Sequence, residues 1–216
     1  MHAHLWTPGY LDRLERLGKT DTDTQRGIGA DATEADLDRR FALMDRAGID
    51  LQVLSVAPQS PHLMGEPDAV ALAASANESY AELVARFPGR FRAFAALPLP
   101  HVDAALREVV HALDDLGAVG VGVTTTVLGR TLADPLFDPL YEELDRRGAV
   151  RLVDQATPDD VPGRRGVRVA GGRRNARHGG GRTPRSRLGF KVRPSVVVAH
   201  AATRVAPAGL TPAADS

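Results

Sequence analysis

Met1-His2-Ala3-His4-Leu5-Trp6 is the stretch on which the reading of this chain turns. As a strand it alternates faces with a period of two, so His2 and His4 point one way and Ala3 the other. Two imidazoles side by side on a rigid strand are half of a metal site, because zinc and similar ions take neutral imidazole nitrogens in a fixed geometry. Taken alone, the pattern is by default that of a chance pair on a solvated terminus. The rest of the chain decides between the two.

Working outward, the segment from Pro8 to Ala32 is polar. Tyr10-Leu11 and Leu14 to Leu17 predict one short helical turn, and Lys19 to Gly29 reads as a loop. Thr33 then caps a helix with acids in its first turn and a stripe of Leu37, Phe41 and Met44; Gly48 ends it. Ile49 to Val56 has the Leu/Val-rich pattern of a strand buried on both faces. A longer helix starts at Glu66-Pro67-Asp68, with Val70, Ala73, Asn77, Tyr80, Val84 and Phe87 along one side, and stops at Pro88-Gly89. Phe91 to Leu97 is the next buried run. Asp103 is expected to cap a third helix, and Val119-Gly120-Val121-Gly122-Val123 to form strand four, its glycines suiting a close backbone or ligand approach. Asp134-Pro135 opens a fourth helix with Leu136, Leu140 and Leu144 buried and Gly148 at its end; Ala149 to Asp154 is the fifth strand.

Strands separated by helices are the signature of βαβ units and a parallel sheet. An open doubly wound sheet would normally carry a Gly-rich phosphate loop after its first strand. The histidine pair stands there instead, which favours an α/β partial TIM-like (β/α) barrel with five to six strands present.

Composition narrows the chemistry. There are no cysteines among the 216 residues, so disulfides and thiolate metal sites are excluded and His and carboxylates remain as strong ligands. No signal-peptide pattern and no apolar run of membrane-spanning length are present, so the default is a cytoplasmic protein with no membrane partner. The zero net charge hides a split: residues 1–162 carry 15 Lys+Arg and 26 Asp+Glu, whereas residues 163–216 carry 12 basic residues and the single acid Asp215. Residues 1–160 thus read as an incomplete barrel domain, 161–193 as a basic Gly/Arg-rich irregular segment, and 194–216 as a strand (Pro194 to His200) plus a loose tail. For the basic segment three readings stand: a solvated linker, a nucleic-acid-binding segment, or a shifted reading frame, the last preferred because Arg, Gly and Pro are what GC-rich codons yield out of frame. The nucleic-acid reading is disfavoured, because Phe190 is its only aromatic and stacking has little to work with.

Several stretches together resemble the amidohydrolase-related family of metal-dependent barrels, in the branch that includes aminocarboxymuconate-semialdehyde decarboxylase. They are His2 to Trp6, Leu43-Met44-Asp45-Arg46-Ala47-Gly48-Ile49-Asp50, Ala76-Asn77-Glu78, Arg86 to Phe91, Ala96 to Leu99, and Leu132 to Tyr141 before Gly148-Ala149-Val150. The likeness covers residues 1 to about 160. It implies a divalent metal, zinc first, held by the His-x-His of strand one, a His ending strand five and an Asp ending strand eight, with a His ending strand six acting on substrate or water. Here His2 and His4 match, and Asp154 followed by Gln155 stands where the family has His-Pro. An Asp can ligate zinc. Val196-Val197-Val198-Ala199-His200 resembles strand six, so the resemblance makes His200 the catalytic residue. Strands seven and eight have no counterpart, Asp215 lies in no matching context, and the first strand is shorter than the family's.

The resemblance therefore implies a hydrolase or decarboxylase acting on a small carboxylated substrate, with activity impaired by the missing ligands; a homo-oligomer is compatible with it. The competing expectation is a non-catalytic remnant or interaction protein from a frameshifted gene.

Overall fold

The computed structural model describes residues 1–156 and the strand Val196–Val198; His200, Asp215 and the expectations for residues 161–193 and the C-terminal tail lie outside the described residues. In chain order the elements are β1 (His2–His4), α1 (Pro8–Arg16), α2 (Glu34–Arg46), β2 (Gln52–Ser55), α3 (Glu66–Arg86), β3 (Phe91–Ala93), α4 (Val102–Val110), β4 (Gly120–Thr124), β5 (Thr126–Val127), β6 (Arg130–Thr131), α5 (Asp138–Arg147), β7 (Val150–Asp154) and β8 (Val196–Val198).

The strand order identifies the architecture. β1, β2 and β3 pair in parallel, as do β4, β7 and β8. The two sheets join where Ala95 N donates to Gly120 O and Gly122 N donates to Ala95 O, both at 2.9 Å. Strands therefore follow one another in sequence order with no reversal. That is the wall of a barrel, whereas a doubly wound sheet reverses its order at a switch point. The antiparallel pair β5–β6 stands apart as a small hairpin on the loop after β4.

Local chemistry explains most element ends. Thr33 caps α2 by accepting from Asp36 N, and Gly148 closes α5 in the left-handed conformation at φ 63°. Gly120 is required by close approach: a Cβ there would collide with the Val150 carbonyl of the neighbouring strand. One apolar core packs α1, α2 and α3 on β1–β3, and a second packs α4 and α5 on β4. Between them Asn77 of α3 makes three buried contacts. It donates to Ala96 O (3.0 Å) and Glu108 Oε1 (2.6 Å) and accepts from Ala96 N (2.7 Å), which fixes the chain leaving β3.

Several expectations are corrected. The single turn after β1 is a nine-residue helix, because Thr7 caps it, Pro8 sits in its first turn, and Tyr10, Leu11 and Leu14 bury one face. The buried face of α3 centres on Ala69, Leu72, Ala73, Ala76, Tyr80 and Leu83; Val70, Val84 and Phe87 lie only at its margin. Asp103 sits inside the first turn of α4, with His101 at the cap position. Leu136 is 40% exposed and Phe137 is fully buried instead, because Pro135–Phe137 is a tighter 3-10 turn that rotates the inward position by one residue. The first and third strands stop at His4 and Ala93, short of the expected Trp6 and Leu97. Phe94 N still donates to Leu54 O of β2, and from Ala95 the chain bonds β4.

Candidate metal centre

Parallel strands present all their C-terminal ends at one face. His4 is the last residue of β1, Ser55 of β2, Thr124 of β4 and Asp154 of β7. Pairing aligns His4 with Ser55 and Thr124 with Asp154. The first and fifth barrel strands are far apart in sequence, yet the curved wall brings His4 Nε2 to 3.6 Å from Asp154 Oδ2. His2, His4 and Asp154 each offer one ligand atom, and these atoms lie within 4.8 Å of one another. Nitrogen and oxygen ligands at about 2.0–2.2 Å from a tetrahedral ion stand about 3.4 Å apart, so small side-chain movements close the set on a cation.

The surroundings keep the donors in the state a cation needs. Burial lowers the His2 pKa to about 4, with the neighbouring His4 adding to the effect and Asp154 opposing it. Burial likewise lowers His4, again against the pull of Asp154. Both rings are therefore neutral near pH 7 with a lone pair to give. The Asp154 side chain is 6% exposed, and its Oδ2 has no hydrogen-bond partner among the described residues. Its Oδ1 accepts from Gln155 N at 2.7 Å. A buried carboxylate oxygen without a proton donor is costly, and a bound cation removes that cost. The donor set thus fits a divalent ion.

The rings are held on several sides. Trp6 stacks on His4 with centroids 5.4 Å apart and planes 11° apart, and its own Nε1 donates to Val56 O. Phe94 meets His2 edge-on at 6.3 Å. The His4 carbonyl accepts from Arg40 Nη2 at 2.9 Å. Ser55 Oγ lies 2.8 Å from His2 Nε2 and 3.4 Å from His4 Nδ1. Sequence reasoning missed Ser55; its one signal is a hydroxyl at the end of an apolar strand. His62 lies in the loop between β2 and α3. The residue is 1% exposed, with Nδ1 3.4 Å from Thr124 Oγ1. A cavity of about 640 Å³ lies nearby, lined by residues including Lys19, His62, Met64 and Leu128 but by none of the three candidate ligands. Donor geometry, not cavity size, marks the centre.

The Amidohydrolase family model matches residues 1–199. A 2-amino-3-carboxymuconate-6-semialdehyde decarboxylase from Dictyostelium discoideum is 32% identical over 119 residues, 55% of this chain and 33% of its own length. A gamma-resorcylate decarboxylase from Rhizobium radiobacter is 45% identical over 86 residues, 38% of this chain and 26% of that one. The crystal structure of a dihydroxybenzoic acid decarboxylase from Polaromonas sp., with bound manganese and the inhibitor 2-nitroresorcinol, is similar with a TM-score of 0.59. Its identity is 26%, over 72% of this chain and 48% of that one. The chain spans a third or less of these curated relatives and about half of the solved structure. A parallel barrel wall, a paired histidine on its first strand and a family match over residues 1–199 agree: this chain belongs to the amidohydrolase family.

Proposed function

We propose that His2, His4 and Asp154 bind a divalent metal and that the protein serves decarboxylation of a small aromatic carboxylate. The observation that carries the metal reading is the buried Asp154 Oδ2, without a hydrogen-bond partner among the described residues and facing His4 Nε2 at 3.6 Å. Decarboxylation is preferred to hydrolysis because the relatives similar to this chain are decarboxylases of carboxymuconate and resorcylate compounds. Zinc suits two imidazoles and a carboxylate, and so does manganese, which the Polaromonas enzyme carries.

When bound, the ion supplies Lewis-acid stabilisation of negative charge developing on the substrate. The chain's own residues do the rest. His2 and His4, neutral through burial, donate lone pairs without first losing a proton. Trp6 and Phe94 wall the two rings with aromatic surface, which limits water beside them. His200 is the residue proposed to pass a proton to or from the reacting carbon, on the family resemblance.

Calorimetric titration of the purified chain with Mn²⁺ and with Zn²⁺, beside a His2→Ala/His4→Ala double variant, tests the metal reading. Binding by the parent and its loss in the variant is the expected result; identical behaviour sinks it. Incubation with 2,6-dihydroxybenzoate tests the reaction: CO2 release supports decarboxylation, and conversion of an acyl or amide analogue without CO2 would put hydrolysis in its place.

A further inference from the structure

We propose that Ser55 is a positioning residue that holds both candidate ligand histidines through one hydroxyl. The inference rests on the metal reading above. Ser55 ends β2 directly opposite His4 in the parallel register, and the residue is 1% exposed. Its Oγ lies 2.8 Å from His2 Nε2 and 3.4 Å from His4 Nδ1. The first distance is that of a sound hydrogen bond and the second sits at the outer limit, so the serine grips His2 and steadies His4.

A hydroxyl carries one proton and two acceptor lone pairs. It can give its proton to one ring nitrogen only, but its oxygen can accept from both ring N–H groups, and only in that state do both rings keep a free lone pair, on Nδ1 of His2 and on Nε2 of His4. The tautomers of His2 and His4 are thus coupled through a single oxygen. When His4 keeps its proton on Nδ1, toward Ser55, its Nε2 is a bare lone pair facing Asp154 Oδ2. Two electron-rich atoms 3.6 Å apart then leave a gap that a cation fills. With the Ser55 hydroxyl absent, the backbone partners of His4 at Ala57 and Ser55 remain, but nothing from the Ser55 side chain holds the Nδ1 side, and His4 is freer to place its proton on Nε2 and donate it to Asp154, which consumes both ligand atoms. His2 meanwhile loses the one hydrogen bond its ring makes among the described residues. The T-shaped contact between the two rings, with centroids 4.7 Å apart, does not fix either tautomer.

The test uses the full chain with Ser55→Ala and Ser55→Thr, the threonine keeping a hydroxyl on a β-branched side chain suited to a strand. Partners that orient ligands typically change metal affinity by about 10–100-fold. Ser55→Ala is expected to weaken Mn²⁺ binding by that factor in calorimetry, and Ser55→Thr to restore most of it. Without metal, ¹⁵N NMR of the imidazoles is expected to show altered tautomer populations at His2 and His4 in Ser55→Ala and near-parental ones in Ser55→Thr. If the parent binds Mn²⁺ and Ser55→Ala binds it equally with unchanged imidazole signals, the role of Ser55 is overturned and the metal reading stands. If the parent binds no metal, the metal reading falls, and the imidazole signals still decide whether Ser55 sets the two tautomers. A Ser55→Ala defect that Ser55→Thr shares in both readouts also overturns the assignment to the hydroxyl.

Discussion

Replacing Asp154 by Asn should make the metal-free protein more stable and its metal-bound form relatively less so. At pH 7 burial keeps His4 neutral, so its 3.6 Å approach to Asp154 Oδ2 is no ion pair and contributes little. Among the described residues the carboxylate is left with a buried oxygen lacking a donor, a cost of about 1–3 kcal/mol. Asn keeps an acceptor for the Gln155 N–H and turns an NH2 toward His4 Nε2, removing most of that cost. With a urea slope of about 2 kcal/mol/M, the midpoint of Asp154→Asn in chelator should rise by roughly 0.5–1.5 M. Adding Mn²⁺ at about 100 times its dissociation constant should stabilise the parent by about 2.7 kcal/mol. The variant, lacking the charged candidate ligand, should gain little, so the gap between the two proteins closes or inverts. Urea denaturation followed by circular dichroism, with and without Mn²⁺, reads both halves. A metal-free variant less stable than the parent would refute the claim that Asp154 is held there at a cost. An equal metal gain in both proteins would remove it from the ligand set.

Gly120→Ala should cost about 3 kcal/mol or more, since its Cβ meets the Val150 carbonyl, whereas Gly122→Ala, whose nearest neighbours lie 3.8 Å away, should stay within about 1 kcal/mol; thermal unfolding compares them, and equal losses would contradict the close-approach argument. Asn77→Ala strands the Ala96 N–H, the Ala96 carbonyl and Glu108 Oε1, and a loss of about 3 kcal/mol is expected in urea; a change below about 1 kcal/mol would show that water replaces the amide. His62 is lowered to about 3 by burial first and Lys19 second, so between pH 6.5 and 3 the unfolded chain binds the extra proton and acid destabilises the fold. The slope from this residue should be about 1.4 kcal/mol per pH unit, and a His62→Gln variant with the same pH dependence as the parent between pH 6.5 and 5 would argue against it.

The sequence by itself determined the alternation of elements, because caps, stop glycines and apolar runs are local signals that each residue carries wherever the chain goes. Thr33, Gly48 and Gly148 mark helix ends in the structure as they do in the sequence. It also determined that His2 and His4 share a face, since the period of a strand is two. Matters of a single residue's rotation were not legible. The inward face of α3 and the exchange of Leu136 for Phe137 depend on how a helix seats on a particular sheet and on one 3-10 turn. The β5–β6 hairpin was hidden because its turn places Leu128 at φ 46° before Gly129 at φ 85°, where Asn-Gly would have announced it. The centre itself was half legible. The histidine pair could be read from its spacing, and Asp154 only by resemblance, since nothing in the 149 residues between His4 and Asp154 records a distance of 3.6 Å. Ser55 could not be read at all. Its place between two imidazoles follows from the parallel register of β1 on β2, and Asp154 reaches His4 because the barrel wall curves. Register and curvature come from the packing of all the strands together, and tertiary structure alone decides them.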